Sequence, residues 1–163
     1  MNVTAKILVI SCASLLFAAC DGSSSDDDDA PTAPTNPLIS ATYQSCVNGV
    51  ELEYQFSNEN GVKKESAFAA LDCSGDPLTT IDTPFDFSIG GDVTSNTGET
   101  AWKLDITENG IKTYTIVRLS GGNLSTDDLN FGAPPPVSSA GRDGTTEDKR
   151  FDGLDLSRTY DRN

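Results

Sequence analysis

The chain has 163 residues, with 25 acidic and 11 basic side chains, no histidine and a formal net charge of −14. This charge disfavours binding to nucleic acid or to anionic lipid, because both are polyanions. The lack of histidine excludes Ser-His-Asp and Cys-His nucleophile systems and removes the commonest general base.

The first 19 residues have the organisation of a signal peptide. Lys6 precedes an apolar stretch at residues 7–19, which ends in small residues directly before Cys20. A transmembrane helix needs about 20 apolar residues, so this stretch is too short to be one. The cysteine resembles the lipidation site of bacterial lipoproteins. The resemblance implies a mature protein that begins at Cys20 and is held to a membrane by several acyl chains, such as palmitate. A plain secretory signal is the alternative.

Residues 20–37 are predicted to form a disordered linker between the lipid and a folded domain. Four aspartates at positions 26–29 make its first half self-repelling, and three prolines within residues 31–37 favour an extended second half. The predicted location is the bacterial cell envelope. Asp21 resembles an inner-membrane retention signal and the Ser-Asp run resembles a surface-export signal. Inner or outer membrane, and periplasmic or surface side, therefore stay open.

Residues 38–163 are predicted to form one all-β domain. The run at residues 50–56 alternates between apolar and polar side chains, which is typical of a half-buried strand. The Asn48-Gly49 pair before it favours a two-residue hairpin turn, because both turn residues need a positive φ. That turn places Tyr43 opposite Tyr54 and Cys46 opposite Glu51.

A second hairpin is predicted around Asn109-Gly110. With a two-residue turn, Leu104 lies opposite Thr115 and Trp102 lies opposite Val117, so the apolar side chains share one face. Two further turns are predicted at Asn60-Gly61 and Gly121-Gly122. Several antiparallel strands of this kind avoid exposed edges by closing into a small up-and-down barrel.

The remaining segments are less regular. Residues 63–72 are interpreted as a strand, with a helix as the alternative because Ala and Leu are common there. Residues 85–89 alternate over a short strand. Residues 129–131 and 153–156 are interpreted as the last two strands, on either side of a loop rich in proline and glycine. Tyr160 either packs on the domain or belongs to a frayed tail.

Two cysteines are left after the signal peptide and the lipidation site are set aside. Cys46 and Cys73 form an even pair in an oxidising compartment, where a disulfide is expected. The hairpin register puts Cys46 beside the turn, on the face away from the core. The disulfide is therefore predicted near the rim or outer surface of the domain.

The spacing of several motifs resembles a known group of proteins. These motifs are Cys46 before a hairpin, Cys73 after the next strand, Leu129-Asn130-Phe131-Gly132, Asp143-Gly144-Thr145 and a closing Tyr160. They are similar to small, mostly uncharacterised bacterial lipoproteins with lipocalin-like or META-like barrels. The resemblance implies a lipocalin-like barrel and an envelope location. It carries no activity and no site.

Four side chains are candidates to line a ligand cavity, namely Tyr54, Phe56, Trp102 and Leu104. Packing in the core is the alternative role for each of them. No cofactor is implied, and two lone cysteines without histidine do not predict a metal site.

These features predict a non-catalytic binding module of the cell envelope, for a small apolar ligand or a protein partner. No pair of carboxylates stands out for glycoside hydrolysis, so an enzyme is not expected. The alternative is an interaction or inhibitor protein that uses its acidic surface against a basic partner such as lysozyme. The Tyr43-Gln44-Ser45-Cys46 segment is similar to lysozyme-inhibiting lipoproteins, although their Ser-Gly-x-x-Tyr segment is not found.

Overall fold

The computed structural model of the chain describes residues 36–120 and 128–163. The predicted signal peptide, Cys20, nearly all of the linker and the turn predicted at Gly121-Gly122 lie outside these residues. The fold is all-β and antiparallel, as predicted, with strand order β7-β6-β5-β4-β3-β2-β1-β8. The strands are β1 (Ala41–Val47), β2 (Val50–Phe56), β3 (Asn60–Ala67), β4 (Thr79–Thr94), β5 (Thr100–Glu108), β6 (Ile111–Leu119), β7 (Leu129–Phe131) and β8 (Asp161–Arg162).

The two ends of the sheet meet, so that the barrel is nearly closed. β8 pairs with β1 through Tyr43 and Arg162. Tyr160, directly before β8, bridges to Leu129 in β7 by two backbone hydrogen bonds of 2.8 and 2.9 Å. Tyr160 is only 6% exposed and therefore packs into the domain rather than fraying.

Both Asn-Gly hairpins have the predicted register. Asn48 and Gly49 have φ values of 52° and 76°, and the second pair, at 109 and 110, has 51° and 78°. These are the positive values that a two-residue turn with the twist of the strands requires. Tyr43 accordingly lies opposite Tyr54, and Leu104 lies opposite Thr115.

The turn predicted at Asn60-Gly61 is wrong. Phe56 pairs directly with Gly61, so Gly61 is already part of the strand pair. The turn lies before it and is closed by a 2.8 Å hydrogen bond from Ser57 N–H to Asn60 C=O. Gly61 lies in β3, where a Cβ atom would come within 2.5 Å of both the Phe85 ring and the Gln55 carbonyl oxygen. This glycine therefore makes room for an aromatic ring and does not form a turn.

Three predicted strands have different bounds. β4 runs over 16 residues, far beyond residues 85–89, because it passes through Pro84 and continues past a bulge between Ile89 and Asp92. β3 ends at Ala67, so residues 68–72 leave the sheet. Residues 153–156 form no strand and contribute only an isolated bridge from Leu154 to Gly132.

The interior of the barrel is packed with aromatic and aliphatic side chains over most of its length. The Phe56 ring lies 5.6 Å from Phe85 and 5.0 Å from Phe87 in edge-to-face contacts. Burial of each such side chain contributes about 1.5–3 kcal/mol. The fully buried members are Leu38, Tyr43, Leu104, Val117 and Leu129.

The disulfide joins Cys46 to Cys73, with Cα atoms 6.1 Å apart. The segment between β3 and β4 passes over the outside of the barrel and hydrogen bonds to the first hairpin turn, with Gly49 N–H donating to Leu71 C=O at 2.9 Å. Cys46 is exposed. The prediction of a disulfide on the outer surface beside the turn is confirmed.

The segment after β7 wraps around the outside of β5 and β6. It contains a short 3-10 helix, Glu147–Lys149, and then Arg150, whose side chain is 8% exposed. Arg150 forms a 2.7 Å ion pair with Asp105 on the outer face of β5. This contact fastens the C-terminal segment to the barrel wall.

Candidate functional site

The barrel has one end at which its strands are uneven in length. We call it the open end; it carries the β1–β2, β3–β4 and β5–β6 connections. β4 pairs with β5 only from Phe85 onwards, whereas its pairing with β3 continues to Thr79. The β1–β4 half therefore extends beyond β5 and β6. Ile81 lies on the same strand face as Phe85, yet it is 62% exposed because no strand lies across from it.

Apolar side chains surround this end. Nine large hydrophobic side chains of the described residues are exposed, and six of them belong to the open end. They are Val47, Val50, Leu71, Leu78, Ile81 and Ile111. Clustered exposed apolar side chains are typical of ligand-binding or protein-binding surfaces, whereas single exposed apolar residues are normal on any protein.

A cavity of about 350 Å³ lies at the open end. Tyr54 and Phe131 separate it from the packed interior, because each lines the cavity, each contacts the core, and their ring centroids are 4.8 Å apart. The remaining walls come from β5, β6 and the C-terminal segment. They are Ile106, Glu108, Asn109, Ile111, Thr113, Thr115, Gly132 and Phe151.

Five of the ten residues that line the cavity carry a polar side-chain group, and the one charged group among them is paired. Glu108 accepts two hydrogen bonds from Lys63 Nζ, at 2.7 and 2.8 Å, so its charge is balanced. Burial, with the nearby Glu108 carboxylate adding to it, raises the pKa of Tyr54 well above its usual range. The Tyr54 hydroxyl is therefore neutral at ordinary pH and is available as a hydrogen-bond donor.

A wider depression lies at the other end of the barrel. Its volume is about 820 Å³, and its walls are mainly polar, with Asn58, Asn60 and Asp86 among them. The cavity at the open end is the better ligand site, because small-molecule sites are mostly apolar with a few placed polar groups.

The four predicted ligand residues do not lie together. Tyr54 lines the cavity, whereas Phe56 and Leu104 are 4% and 0% exposed within the packed interior. Trp102 is half-buried and packs against that interior. Only Tyr54 is thus placed at the cavity, and a ligand-binding role stays a prediction for it.

Sequence reasoning missed most of the cavity wall. Ile106 and Thr113 face each other in the predicted hairpin register, on the same face as Leu104 and nearer the turn, so the register could have identified them as neighbours of the cavity. No feature of the sequence indicated Phe151. It reaches the cavity because the C-terminal segment hydrogen bonds along β6, with Phe151 N–H donating to Tyr114 C=O at 3.1 Å.

Residues 36–120 and 128–163 contain no helix of the length and apolarity needed to cross a membrane. Over the same two ranges, no three or more cysteine or carboxylate side chains come together in a way that would hold a metal ion. Compared with known proteins, the chain matches no family model, no curated protein and no solved structure.

Proposed function

We propose that this chain is a membrane-anchored lipoprotein of the bacterial cell envelope, with a barrel that acts as a non-catalytic binding module for a small, largely apolar ligand. The cavity at the open end is the observation that carries the proposal. Its 350 Å³ falls in the range of ligand pockets, roughly 300–1,000 Å³. Its position at the mouth of a barrel is also a common one for such sites.

The walls of the cavity suit a ligand with an apolar body. Ile106, Phe131 and Phe151 offer hydrophobic surface, and Thr113 offers a hydroxyl. Ile111 stands at the entrance and is 72% exposed, which costs free energy until an apolar group covers it. A bound ligand would remove this surface from water.

The proposed anchor is lipid on Cys20. Seventeen residues separate Cys20 from Leu38, which is fully buried just before β1. At about 3.3–3.6 Å per residue, an extended linker of this length would hold the barrel up to about 60 Å from the membrane. Such a reach would allow the barrel to meet ligands away from the lipid surface.

Fluorescence of N-phenyl-1-naphthylamine, an uncharged apolar dye, tests the binding function. We expect the dye to bind the wild-type chain and a Thr100→Trp control, whose new side chain would lie at an exposed site on the far part of β5. Thr113→Trp should abolish binding by filling the cavity. Ile111→Asp, a change at an exposed position, should weaken it without loss of fold. No dye binding to the wild type, or equal binding to all four proteins, would overturn the proposal.

Detergent phase partition tests the anchor. In cells, the wild-type chain and a Cys12→Ser control should enter the detergent phase of Triton X-114, because both keep the lipidation site. Cys20→Ser should remain in the aqueous phase. A Cys20→Ser chain that still enters the detergent phase would contradict lipid anchoring at this residue.

A second candidate function is binding to a basic protein partner. Asp82, Asp86 and Asp92 are exposed along β4 and form no ion pair within the described residues, and the whole chain has a net charge of −14. Lysozyme is a suitable probe. Inhibition at low salt that is lost at high salt and in an Asp82→Asn, Asp86→Asn, Asp92→Asn triple variant would support this candidate. No inhibition at low salt would remove it.

A further inference from the structure

Within residues 36–120 and 128–163, Arg158 forms no ion pair with a carboxylate, although the chain is rich in acids. Ten lysine and arginine side chains lie in residues 36–163, and at least eight of them form ion pairs with carboxylates. Arg158 is not among those eight. Its Nε and Nη2 atoms are buried and have no hydrogen-bond partner among the described residues, whereas Arg118 and Arg150 each leave only Nε without one.

This arrangement is unfavourable for the chain by itself. A buried N–H group that loses its water and gains no acceptor is destabilising, and more so when the group is charged. The chain has 25 acidic side chains that could serve as acceptors. The two unpartnered nitrogens lie on one side of the guanidinium and form the fork that binds both oxygens of a carboxylate. Because both atoms are buried, an acceptor from outside the chain would satisfy them only after the Arg158 side chain turns towards it.

Arg158 lies beside the Tyr160 ring, which packs against two rings of the cavity wall without lining the cavity itself. Its guanidinium carbon is 5.6 Å from the centroid of the Tyr160 ring. The Tyr160 ring in turn lies 5.5 Å from Tyr54 and 5.2 Å from Phe131, both of which line the cavity. The Tyr160 ring therefore lies between the guanidinium and a ligand that contacts Tyr54 and Phe131.

The electrostatics agree with this placement. Although burial raises the pKa of both Tyr54 and Tyr160, the charge of Arg158 acts in the opposite direction on each of them. Glu108 is balanced by Lys63. Glu65, another acid whose charge acts on Tyr54, is exposed, where solvent screens it.

We propose that the ligand of the cavity is an amphipathic carboxylate, which rests on the binding function proposed above. Its carboxylate accepts hydrogen bonds from Nε and Nη2 of Arg158, and its apolar part occupies the space between Tyr54, Phe131 and the β5–β6 wall. The volume of about 350 Å³ is near the lower limit for ligand pockets, so one short acyl chain or one ring system fits better than a two-chain lipid.

Displacement of N-phenyl-1-naphthylamine by decanoate and by decanol tests this inference at pH 7. The two compounds share a ten-carbon chain and differ in the head group. A charge-assisted hydrogen-bonded contact should make decanoate effective at a concentration about 10- to 100-fold lower than decanol. In Arg158→Gln this ratio should fall close to one while displacement by decanol is unchanged. Lys149→Gln, an exposed change of the same charge, should keep the wild-type ratio.

The outcomes separate the two proposals. A dye that binds the wild type but is displaced equally by decanoate and decanol overturns the carboxylate inference and leaves the binding function standing. A dye that does not bind overturns the binding function itself. If Arg158→Gln does not fold, Arg158→Lys serves instead, because it keeps the charge but loses the fork; an intermediate ratio supports the inference, and a full wild-type ratio contradicts it.

Discussion

Arg150 is the side chain whose loss should damage the barrel most clearly. Its Nη2 lies 2.7 Å from the Asp105 carboxylate, and its Nη1 donates to the carbonyl oxygens of Leu104 and Thr115 at 3.0 and 2.8 Å. The guanidinium also stacks over the Tyr114 ring at 5.3 Å. Arg150→Met keeps most of the side-chain volume and removes all of these polar contacts.

The size of the effect follows from what remains. Removal of one partner from a fully buried ion pair costs roughly 3–5 kcal/mol. Asp105 would not be left alone, because Lys112 lies 2.9 Å from it and its own side chain is 18% exposed. We therefore expect Arg150→Met to lower the free energy of unfolding by about 2–3 kcal/mol, which is at or slightly below the low end of the range for fully buried pairs.

Equilibrium unfolding in urea measures this loss, and Arg142→Met is the matched control. Arg142 lies on the same C-terminal segment, 3.6 Å from Asp152, with 42% of its side chain exposed, and it donates a 2.6 Å hydrogen bond to the Asp148 carbonyl oxygen. Exposed contacts of this kind contribute about 0–1 kcal/mol each, so the control should lose less than Arg150→Met. If Arg150→Met is no less stable than Arg142→Met, Arg150 does not fasten the segment to the barrel.

Three other changes test the fold. The Cys46→Ala, Cys73→Ala double variant should lose about 3.5 kcal/mol, since the bridge spans 27 residues; a loss below 1 kcal/mol in urea would contradict this. Gly61→Ala should cost about 1–3 kcal/mol because its Cβ would meet a phenylalanine ring at 2.5 Å. Gly91→Ala is the control, because its new Cβ would lie in open space. Thermal melts of both variants should show a lower melting temperature for Gly61→Ala and almost no change for Gly91→Ala. Although burial raises the pKa of Asp105, hydrogen bonds from a lysine and an arginine outweigh it and hold the pKa below its usual value. The ionised Asp105 therefore stabilises the folded chain fully above its pKa in the unfolded state, about 3.9, and this stabilisation is lost as the pH falls through its lower pKa in the folded state. In Asp105→Asn, the free energy of unfolding should fall less steeply below about pH 4. The same slope against pH as in the wild type would refute the linkage.

The local parts of the fold were readable from sequence. Asn48-Gly49 and Asn109-Gly110 fixed two hairpins, because an Asn-Gly pair tolerates positive φ at both turn positions and the alternation on either side allows one register only. The outward position of Cys46 followed from that register, since side chains alternate between the two faces of a strand. Gly61 misled the same reasoning, because a small residue is needed there by the Gln55 carbonyl oxygen and the distant Phe85 ring, and not by a turn.

By itself the sequence determined that the chain forms antiparallel hairpins with one apolar face and an external disulfide. Only the tertiary structure decided where the interior is solid and where it is open. The length of β4, the closure through Tyr160 and the arrival of Phe151 at the cavity all depend on segments far apart in the chain. Tertiary packing likewise decided that Arg158 has two nitrogens without an acceptor among the described residues. Hydrophobic periodicity reports which face of a strand is buried, but packing between distant segments decides what that face meets.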